Sequence, residues 1–170
     1  GGFKLTVSVS CFVPKPHTPF QWAAQDSVAA LEEKQRRLRG ALRGVRGVKY
    51  NWHDAHLSML EAVFSRGDRR LADVLVRAYE AGCRFDSWKE QFDFGKWIAA
   101  FEEAGLDPKW YAERERGRDE IFPWDVIGTG VSREYLWREK QAADAAAVTP
   151  DCRRLHGLRH EGSGAVRMRM

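Results

Sequence analysis

Apolar and polar residues alternate along 4–13, which predicts a β-strand near the start of the chain. One side of this strand carries aliphatic side chains and the other small hydroxyl side chains: Leu5, Val7 and Val9 against Thr6, Ser8 and Ser10. Proline cannot donate a hydrogen bond to a sheet, so Pro14, Pro16 and Pro19 end the strand. Because they also hold the preceding residues in extended conformations, we expect a stiff loop.

Apolar residues at helical spacing predict an amphipathic helix over 27–43, and β-branched and aromatic residues predict a second strand over 48–52. A helix is predicted next over 55–65. Two further helices end at glycines: one ends at Gly82 and carries on one face Leu71, Val74, Leu75, Ala78 and Tyr79, and the other ends at Gly105 and carries on one face Phe94, Trp97, Ile98 and Phe101. A short helical turn, capped by Asp107 and opened by Pro108, and a helix from Ser132 to about 145 complete the prediction. Gly67 is predicted to take a left-handed conformation that ends one helix, and Asp68 to cap the next. The order of elements predicts an α/β fold whose helix content rises towards the C-terminus.

The chain has 170 residues and 44% hydrophobic residues, which is enough for one ordinary globular domain or part of a larger one. Its apolar runs are only a few residues long, far short of the roughly 20 that a membrane span needs, so we expect no membrane partner and a cytoplasmic location. Three widely spaced cysteines without a CxxC pair predict neither a disulfide framework nor a local metal site, which fits a reducing compartment.

The net charge of +4 is concentrated at the C-terminus. Residues 148–170 hold five arginines and two acidic residues, a net +3, so about +1 is left for the rest of the chain. The basic residues between Lys34 and Arg43 could face RNA, but the neighbouring Glu32 and Glu33 favour a solvated surface. Nucleic acid is therefore not expected as a partner.

The loop after the first strand holds the first candidate site residues, Lys15, His17 and Thr18. In α/β barrels, loops at the carboxyl ends of the strands build the active site. The alternative is a rigid connector between the strand and the first helix.

A second candidate cluster follows the second strand and consists of His53, Asp54 and His56. An imidazole titrates near neutral pH and a carboxylate can fix its tautomer, so this grouping could serve as acid, base or metal ligand. The alternative is that Asp54 caps the following helix while His53 packs in a polar crevice.

Asp86 is a third candidate, because it lies after a helix-ending glycine where a new helix could start or a site could open. It lies among Cys83, Trp88, Phe92 and Trp97, and aromatic residues at these spacings are usually core or interface residues. The alternative is therefore that this segment is structural.

Several longer strings point to a family. They are "VSVSCFVPKPHTPFQWAAQ", "VKYNWHDAHLSMLEAVFSRGDRRLADVL", "AGCRFDSWKEQFDF", "AFEEAGLDP", "PWDVIGTGVSREYLWRE" and "TPDCR". In this order the chain resembles, from about Lys4 to Arg153, the C-terminal half of a family of bacterial radical S-adenosylmethionine proteins that have an N-terminal cobalamin-binding-like domain. The string "FVPKPHTPF" is also similar to a late barrel strand and loop of radical methylthiotransferases.

The resemblance implies a fold and a position for each candidate. Residues 1–50 would be the end of a partial (β/α)6 barrel of the TIM type, with the last strand, the proline loop and the amphipathic helix. Residues 51–147 would be a helical, family-specific extension, and 148–170 a disordered basic tail. Lys15, His17 and Thr18 would lie at the barrel mouth near substrate or cofactor, with His53, Asp54 and Asp86 as further substrate-handling candidates. No residue receives a chemical role, because the resemblance does not identify the reaction.

The resemblance also implies cofactors and partners. In the full-length family, an upstream CxxxCxxC binds a 4Fe-4S cluster that reductively cleaves S-adenosylmethionine to a 5′-deoxyadenosyl radical, and whether cobalamin is used stays open. The expected partners are the N-terminal part of the barrel, the cobalamin-binding-like domain and a substrate that the resemblance does not name.

Two features depart from the family. The chain contains no CxxxCxxC, so we expect it to bind no cluster and to be inactive by itself. After "TPDCR" the family continues with further cysteines, whereas this chain continues "RLHGLRHEGSGAVRMRM" and leaves Cys152, a metal-ligand candidate, without partners. A shifted reading frame after about Arg153 is one hypothesis, and a genuine alternative tail is the other.

A different class of function stays open beside this one. The chain could be a non-catalytic RNA- or protein-interaction module that uses the basic helix and the tail. Binding to phosphates would weaken steeply with ionic strength and with alanine at Lys34, Arg36 and Arg37.

Overall fold

The computed structural model describes residues 3–148. Its elements, in chain order, are β1 Leu5–Val9, α1 Val28–Leu42, β2 Val48–Trp52, α2 Ala55–Arg66, α3 Leu71–Glu80, α4 Phe94–Glu103, α5 Pro108–Ala112 and α6 Arg133–Asp144. Every predicted element is present, and most bounds agree within one or two residues. The predicted tail, 148–170, lies outside the described residues except for Val148, and so does Cys152.

The two strands pair in parallel and α1 connects them. The register runs from Leu5 opposite Val48 to Val9 opposite Trp52. Among residues 3–148 no third strand joins either edge of this sheet. The fold is therefore helix-rich with a small parallel β-α-β unit, and β2 spans the predicted domain boundary at residue 50.

The first strand is shorter than predicted. It ends at Val9, whose carbonyl oxygen accepts a 3.2 Å hydrogen bond from the backbone N–H of His53, the residue after β2. Beyond this point β2 has already turned towards α2, so residues 10–13 have no strand to pair with. The carbonyl of Phe12 instead accepts a hydrogen bond from the Gln25 side chain at 3.0 Å.

The main hydrophobic core lies among α2, α3, α4 and α5. The largest side chains buried there are Met59, Leu60, Val63, Leu71, Val74, Trp97, Phe101 and Tyr111. Burial of side chains of this size contributes about 1.5–3 kcal/mol each, so this four-helix region supplies most of the apolar stabilisation.

The predicted apolar face of α3 is only partly buried. Leu71 and Val74 are in the core, but Leu75 is 47% exposed and Tyr79 is 59% exposed. The helix packs against neighbours on one side only, so the buried stripe is narrower than the apolar stripe. Arg84 covers the ring of Tyr79 with its guanidinium 4.4 Å from the ring centroid.

The predicted roles of Gly67 and Asp68 are wrong. Gly67 has φ −78° and ψ 175°, which is extended rather than left-handed. A glycine is needed there because a Cβ atom would lie 2.9 Å from the Val63 carbonyl oxygen. Asp68 does not cap α3, whose cap position is Arg70, but accepts hydrogen bonds from the backbone N–H and guanidinium of Arg70.

A second, smaller core forms where the loop after β1 meets the segment before α6. It contains Trp22, Phe122, Trp124 and Leu136, with Trp137 packed against them. Trp22 is completely buried, and its ring meets that of Trp137 edge-on at 5.0 Å. These contacts fix the proline loop against the C-terminal part of the chain.

Within residues 3–148, no helix combines the length and the apolarity needed to cross a membrane.

Candidate functional site

The carboxyl ends of both strands lie at the same end of the sheet, because the strands are parallel. The carbonyl oxygen of His53 lies there and accepts a 2.8 Å hydrogen bond from Gln35 Nε2. The thiol of Cys11 lies 3.9 Å from the same oxygen and 3.5 Å from the same amide nitrogen. A side chain of α1 thus bridges the residues that follow β1 and β2.

Asp54 is the N-cap of α2, as one of the two sequence-based interpretations predicts. Its Oδ1 accepts hydrogen bonds from the backbone N–H groups of His56 at 2.8 Å and Leu57 at 3.2 Å. The His56 ring lies 3.6 Å from the same carboxylate oxygen and 4.3 Å from the ring of Phe94. The side chain of His53 is exposed and does not pack in a crevice, so that part of the structural interpretation is wrong.

Lys15 connects the proline loop to α2. Its Nζ forms an ion pair with Glu61 and donates a 2.9 Å hydrogen bond to Ser65 Oγ. Both charged side chains of the ion pair are about half exposed, so the bridge contributes little to stability but fixes the course of the loop.

His17 and Thr18 form a turn that Gln21 closes. The Thr18 hydroxyl donates to the Lys15 carbonyl oxygen at 2.8 Å, and Gln21 N donates to the Thr18 carbonyl oxygen at 3.1 Å. His17 has φ 56°, in the left-handed region that non-glycine residues rarely occupy. Its backbone N–H donates to Gln21 Oε1 at 3.0 Å, and this bond helps to hold the unusual conformation.

Asp86 attaches its loop to α4 through a 3.4 Å hydrogen bond from Trp97 Nε1. Trp97 belongs to the core, which agrees with the structural interpretation of this segment. Trp88 is 61% exposed, so it is not a core residue, and its role as an interface residue stays a prediction. Cys83 is buried beside this loop, and burial raises the pKa of its thiol.

The predicted site residues do not form one cluster. Within residues 3–148, no hydrogen bond or ion pair joins Lys15, His17 or Thr18 to the group at the carboxyl end of β2. Lys15 turns towards α2, and His17 turns towards the segment before α6.

His17 lies in a cleft of about 580 Å³ between the proline loop and the start of α6. The cleft is lined by His17, Gln21, Asp125, Leu136 and the segment 127–133. Arg133 forms an ion pair with Asp125 at 2.8 Å, which neutralises the carboxylate beside the cleft. The sequence-based interpretation missed this site, although the glycines and the helix cap in "IGTGVS" are a signal for an exposed turn before a helix.

Two buried arginines form the strongest electrostatic feature outside the cleft. Arg66 is fully buried and donates 2.6 Å hydrogen bonds to the carbonyl oxygens of Ala23, Tyr111 and Ala112. Burial, together with the nearby positive charge of Arg116, lowers the pKa of Arg66 to about 10. Arg116 donates at 3.1 Å to the Arg66 carbonyl oxygen, so the pair connects three segments through main-chain carbonyls.

The basic face of α1 is largely engaged by other groups. Lys34 forms an ion pair with Asp26 and Arg36 forms one with Glu33. The guanidinium of Arg39 lies 4.1 Å from the centre of the Trp52 ring. All three basic side chains are nevertheless exposed, as expected of a solvated face.

The described residues hold no group of three or more histidine, cysteine or acidic side chains that could bind a metal ion. Cys11 lies at the carboxyl end of the strands and Cys83 lies in the helical core. These two cysteines therefore do not provide the three thiolates that a 4Fe-4S cluster of the radical S-adenosylmethionine type needs. No protein-family model, no curated protein and no solved structure matches this chain.

Proposed function

We propose that this chain is the C-terminal part of a radical S-adenosylmethionine iron-sulfur enzyme of the family that its sequence resembles. In that enzyme β1 and β2 are the last strands of the partial barrel, and the helices from α2 onwards pack beside it. The observation that carries the proposal is the parallel β1-α1-β2 unit, because this is the repeating unit of such barrels.

The exposure of the sheet supports this proposal. Parallel sheets are normally covered on both faces, and a two-stranded sheet has little stability of its own. Here Leu5 is 59% exposed and Phe3 is fully exposed, and both strands have a free edge within the described part of the chain. Further strands pairing with these edges would cover the backbone groups and apolar side chains.

The polar face of the two-stranded sheet also supports the proposal. Thr6, Ser8, Lys49 and Asn51 are polar and exposed. The alternation of the strands places them opposite the apolar side chains Val7 and Tyr50, which are partly buried. In a barrel this polar face lines the interior, where a polar substrate or cofactor would need hydrogen-bonding partners.

The loops at the carboxyl ends of the strands then lie at the barrel mouth. Lys15, His17 and Thr18 are near substrate or cofactor on one side, and His53 and Asp54 are near it on the other. Asp86 lies further along the extension. The described cysteines do not fit the 4Fe-4S cluster, so the cluster and the S-adenosylmethionine bound to it belong to the upstream part, and no chemical step is assigned to residues of this chain.

The decisive experiment is to read the coding DNA upstream of the Gly1 codon. We expect an open frame with CxxxCxxC and a cobalamin-binding-like segment before it. The complete protein, reconstituted with iron and sulfide under reducing anaerobic conditions, should form 5′-deoxyadenosine from S-adenosylmethionine. A variant with serine at the three motif cysteines is the matched control and should form none.

Several hundred upstream codons without that motif would overturn the proposal. Translation of the other two frames after Arg153 tests the origin of the C-terminal tail separately. A cysteine-containing continuation in one of them supports a shifted frame, and its absence supports a genuine alternative tail.

A further inference from the structure

The side chain of Gln21 is held in one orientation at the floor of the cleft. Gln21 is 3% exposed, and its Oε1 accepts hydrogen bonds from Trp124 Nε1 at 2.8 Å and His17 N at 3.0 Å. An indole N–H and a backbone N–H can only donate, so the position between them must be filled by the amide oxygen. The two ends of the Gln21 amide are therefore not interchangeable.

This orientation leaves the amide nitrogen of Gln21 without a partner. No acceptor among residues 3–148 bonds Nε2, and yet this nitrogen is not one of the fully buried, unsatisfied atoms. Gln21 lines the cleft, so we infer that its amide nitrogen faces the cleft. A donor that the protein buries and orients but does not use is suited to an acceptor atom that comes from outside.

The opposite wall of the cleft is the N-terminus of α6, a helix of 12 residues. Ser132 Oγ accepts from Tyr135 N at 3.2 Å, which leaves the backbone N–H groups of Arg133 and Glu134 without an intrahelical partner. The helix dipole makes this end partially positive, and such ends favour negatively charged groups.

The one carboxylate that lines the cleft does not oppose an anion strongly. Asp125 is neutralised by Arg133 at 2.8 Å, and it also accepts a 2.8 Å hydrogen bond from Phe122 N. Arg133 is fixed in turn by the carbonyl oxygens of Arg118 and Glu120. Besides Gln21, Arg133 and His17, the lining consists of glycines and of hydroxyl and apolar side chains, with no further carboxylate from the described part of the chain.

We propose that this cleft binds a small oxyanion, a phosphate or carboxylate group of a ligand, through Gln21 Nε2 and the N-terminus of α6. The site needs neither an iron-sulfur cluster nor any residue upstream of Gly1. It is therefore independent of the proposed radical enzyme, and either proposal can fail without the other.

The test is an NMR titration of the ¹⁵N-labelled 170-residue chain with inorganic phosphate and, separately, with acetate, at constant ionic strength held by chloride. We expect saturable shifts of the Gln21 side-chain amide and of the Arg133 and Glu134 backbone amides. Saturation by phosphate alone assigns a phosphate group, saturation by acetate alone a carboxylate group, and saturation by both the shared oxyanion chemistry. If neither probe shifts the Gln21 amide in a saturable way, the proposal is wrong.

Two variants test the assigned groups. Gln21→Glu keeps an oxygen for Trp124 but replaces the donor with a negative charge, and it should weaken binding at least tenfold. Gln141→Glu adds the same charge at an exposed position of α6 and should bind like the parent chain. The Trp124 indole resonance reports whether the Gln21 variant keeps its fold.

If the Gln21 variant does not fold, a variant at the surface of the cleft tests whether the oxyanion binds there. Gly128→Asp adds a carboxylate to the wall of the cleft, where a new Cβ meets no atom within 4 Å. It should weaken binding at least tenfold, and Gly117→Asp, at another open position, should not. Equal affinity in the Gly128 variant and the parent chain would overturn the assignment of the site.

Discussion

Arg66 Nη2 donates a 2.6 Å hydrogen bond to the carbonyl oxygen of Ala112, so the last residue of α2 is joined to the last residue of α5 inside the protein. Within residues 3–148 no carboxylate accepts a hydrogen bond from this guanidinium. Its partners are main-chain carbonyls, including those of Ala23 and Tyr111. The bonds to Tyr111 and Ala112 are buried, and the Ala112 carbonyl also accepts a 2.9 Å hydrogen bond from Gln25 N. One side chain thus joins three segments of main chain.

Arg66→Ala should therefore lower the free energy of unfolding by about 3 kcal/mol or more, because three hydrogen bonds to main-chain carbonyls are lost and a cavity remains. Urea denaturation monitored by circular dichroism measures the change. Arg69→Ala, at an exposed position three residues away, should stay within about 0.5 kcal/mol of the parent chain. Equal effects of the two variants would show that the buried guanidinium is not what joins these segments.

Leu71 and Leu75 offer a matched test of the core boundary on α3. Leu71 is 4% exposed and Leu75 is 47% exposed. Leu71→Ala should cost about 2–5 kcal/mol through lost burial and a cavity. Leu75→Ala should cost less than about 1 kcal/mol, since half of its side chain is already in water and alanine favours the helix. A large loss in the Leu75 variant would mean that another surface covers this face.

Asp54 should behave as a helix cap in stability measurements. Asp54→Ala should lower the free energy of unfolding by about 1 kcal/mol, because the N–H groups of His56 and Leu57 lose their acceptor. Asp54→Asn keeps an acceptor oxygen and should recover most of the loss. If asparagine is as destabilising as alanine, the charge of Asp54 matters beyond its capping bond.

The pair Arg114–Glu120 should make stability depend on pH in the acid range. The hydrogen bonds from Arg114, at 2.6 and 2.7 Å, are the main reason that the pKa of Glu120 lies below its ordinary value. A depressed pKa stabilises the folded state above the unfolded pKa of about 4.3, and this stabilisation is lost as pH falls through the folded pKa. Unfolding in urea between pH 7 and pH 3 should therefore show a smaller acid loss in Glu120→Gln than in the parent chain.

The control for this effect is a double-mutant cycle with Arg114→Met. Each single variant should reduce the acid dependence, and the double variant should reduce it no further than Glu120→Gln. The pKa of Asp68 is also lowered, chiefly by its hydrogen bond with Arg70, so some acid dependence remains in every variant. Additive effects in the cycle would show that Glu120 is stabilised by groups other than Arg114.

The helices were largely predictable, because their signals are local. Ser27 and Ser132 accept from backbone N–H groups three residues on, and Asp107 caps the helix that Pro108 opens. Each signal lies within a few residues of the helix start, so no knowledge of the fold is needed to use it. The extent of burial was less predictable, since the exposure of Leu75 depends on which side of α3 has a neighbour.

The most constrained polar side chains were not predictable. Gln21 bonds Trp124 across 103 positions of sequence, and Arg66 bonds Ala112 across 46. Neither residue type carries a catalytic signature, and their partners include backbone groups that every residue has. The sequence therefore directed attention to His17 and Lys15, whereas the residue that orients the loop is the neutral Gln21.

The parallel pairing of β1 and β2 also has a consequence for the order of folding. Leu5 pairs with Val48, and the proline loop and all of α1 lie between them in sequence. The helices α2 to α5, in contrast, follow one another along the chain. Loop closure has an entropic cost, so contacts distant in sequence form more slowly than those between neighbouring helices. We therefore expect the helical core to form first and the sheet to close late, so that in hydrogen exchange the amides of β1 lose their protection before those of α2.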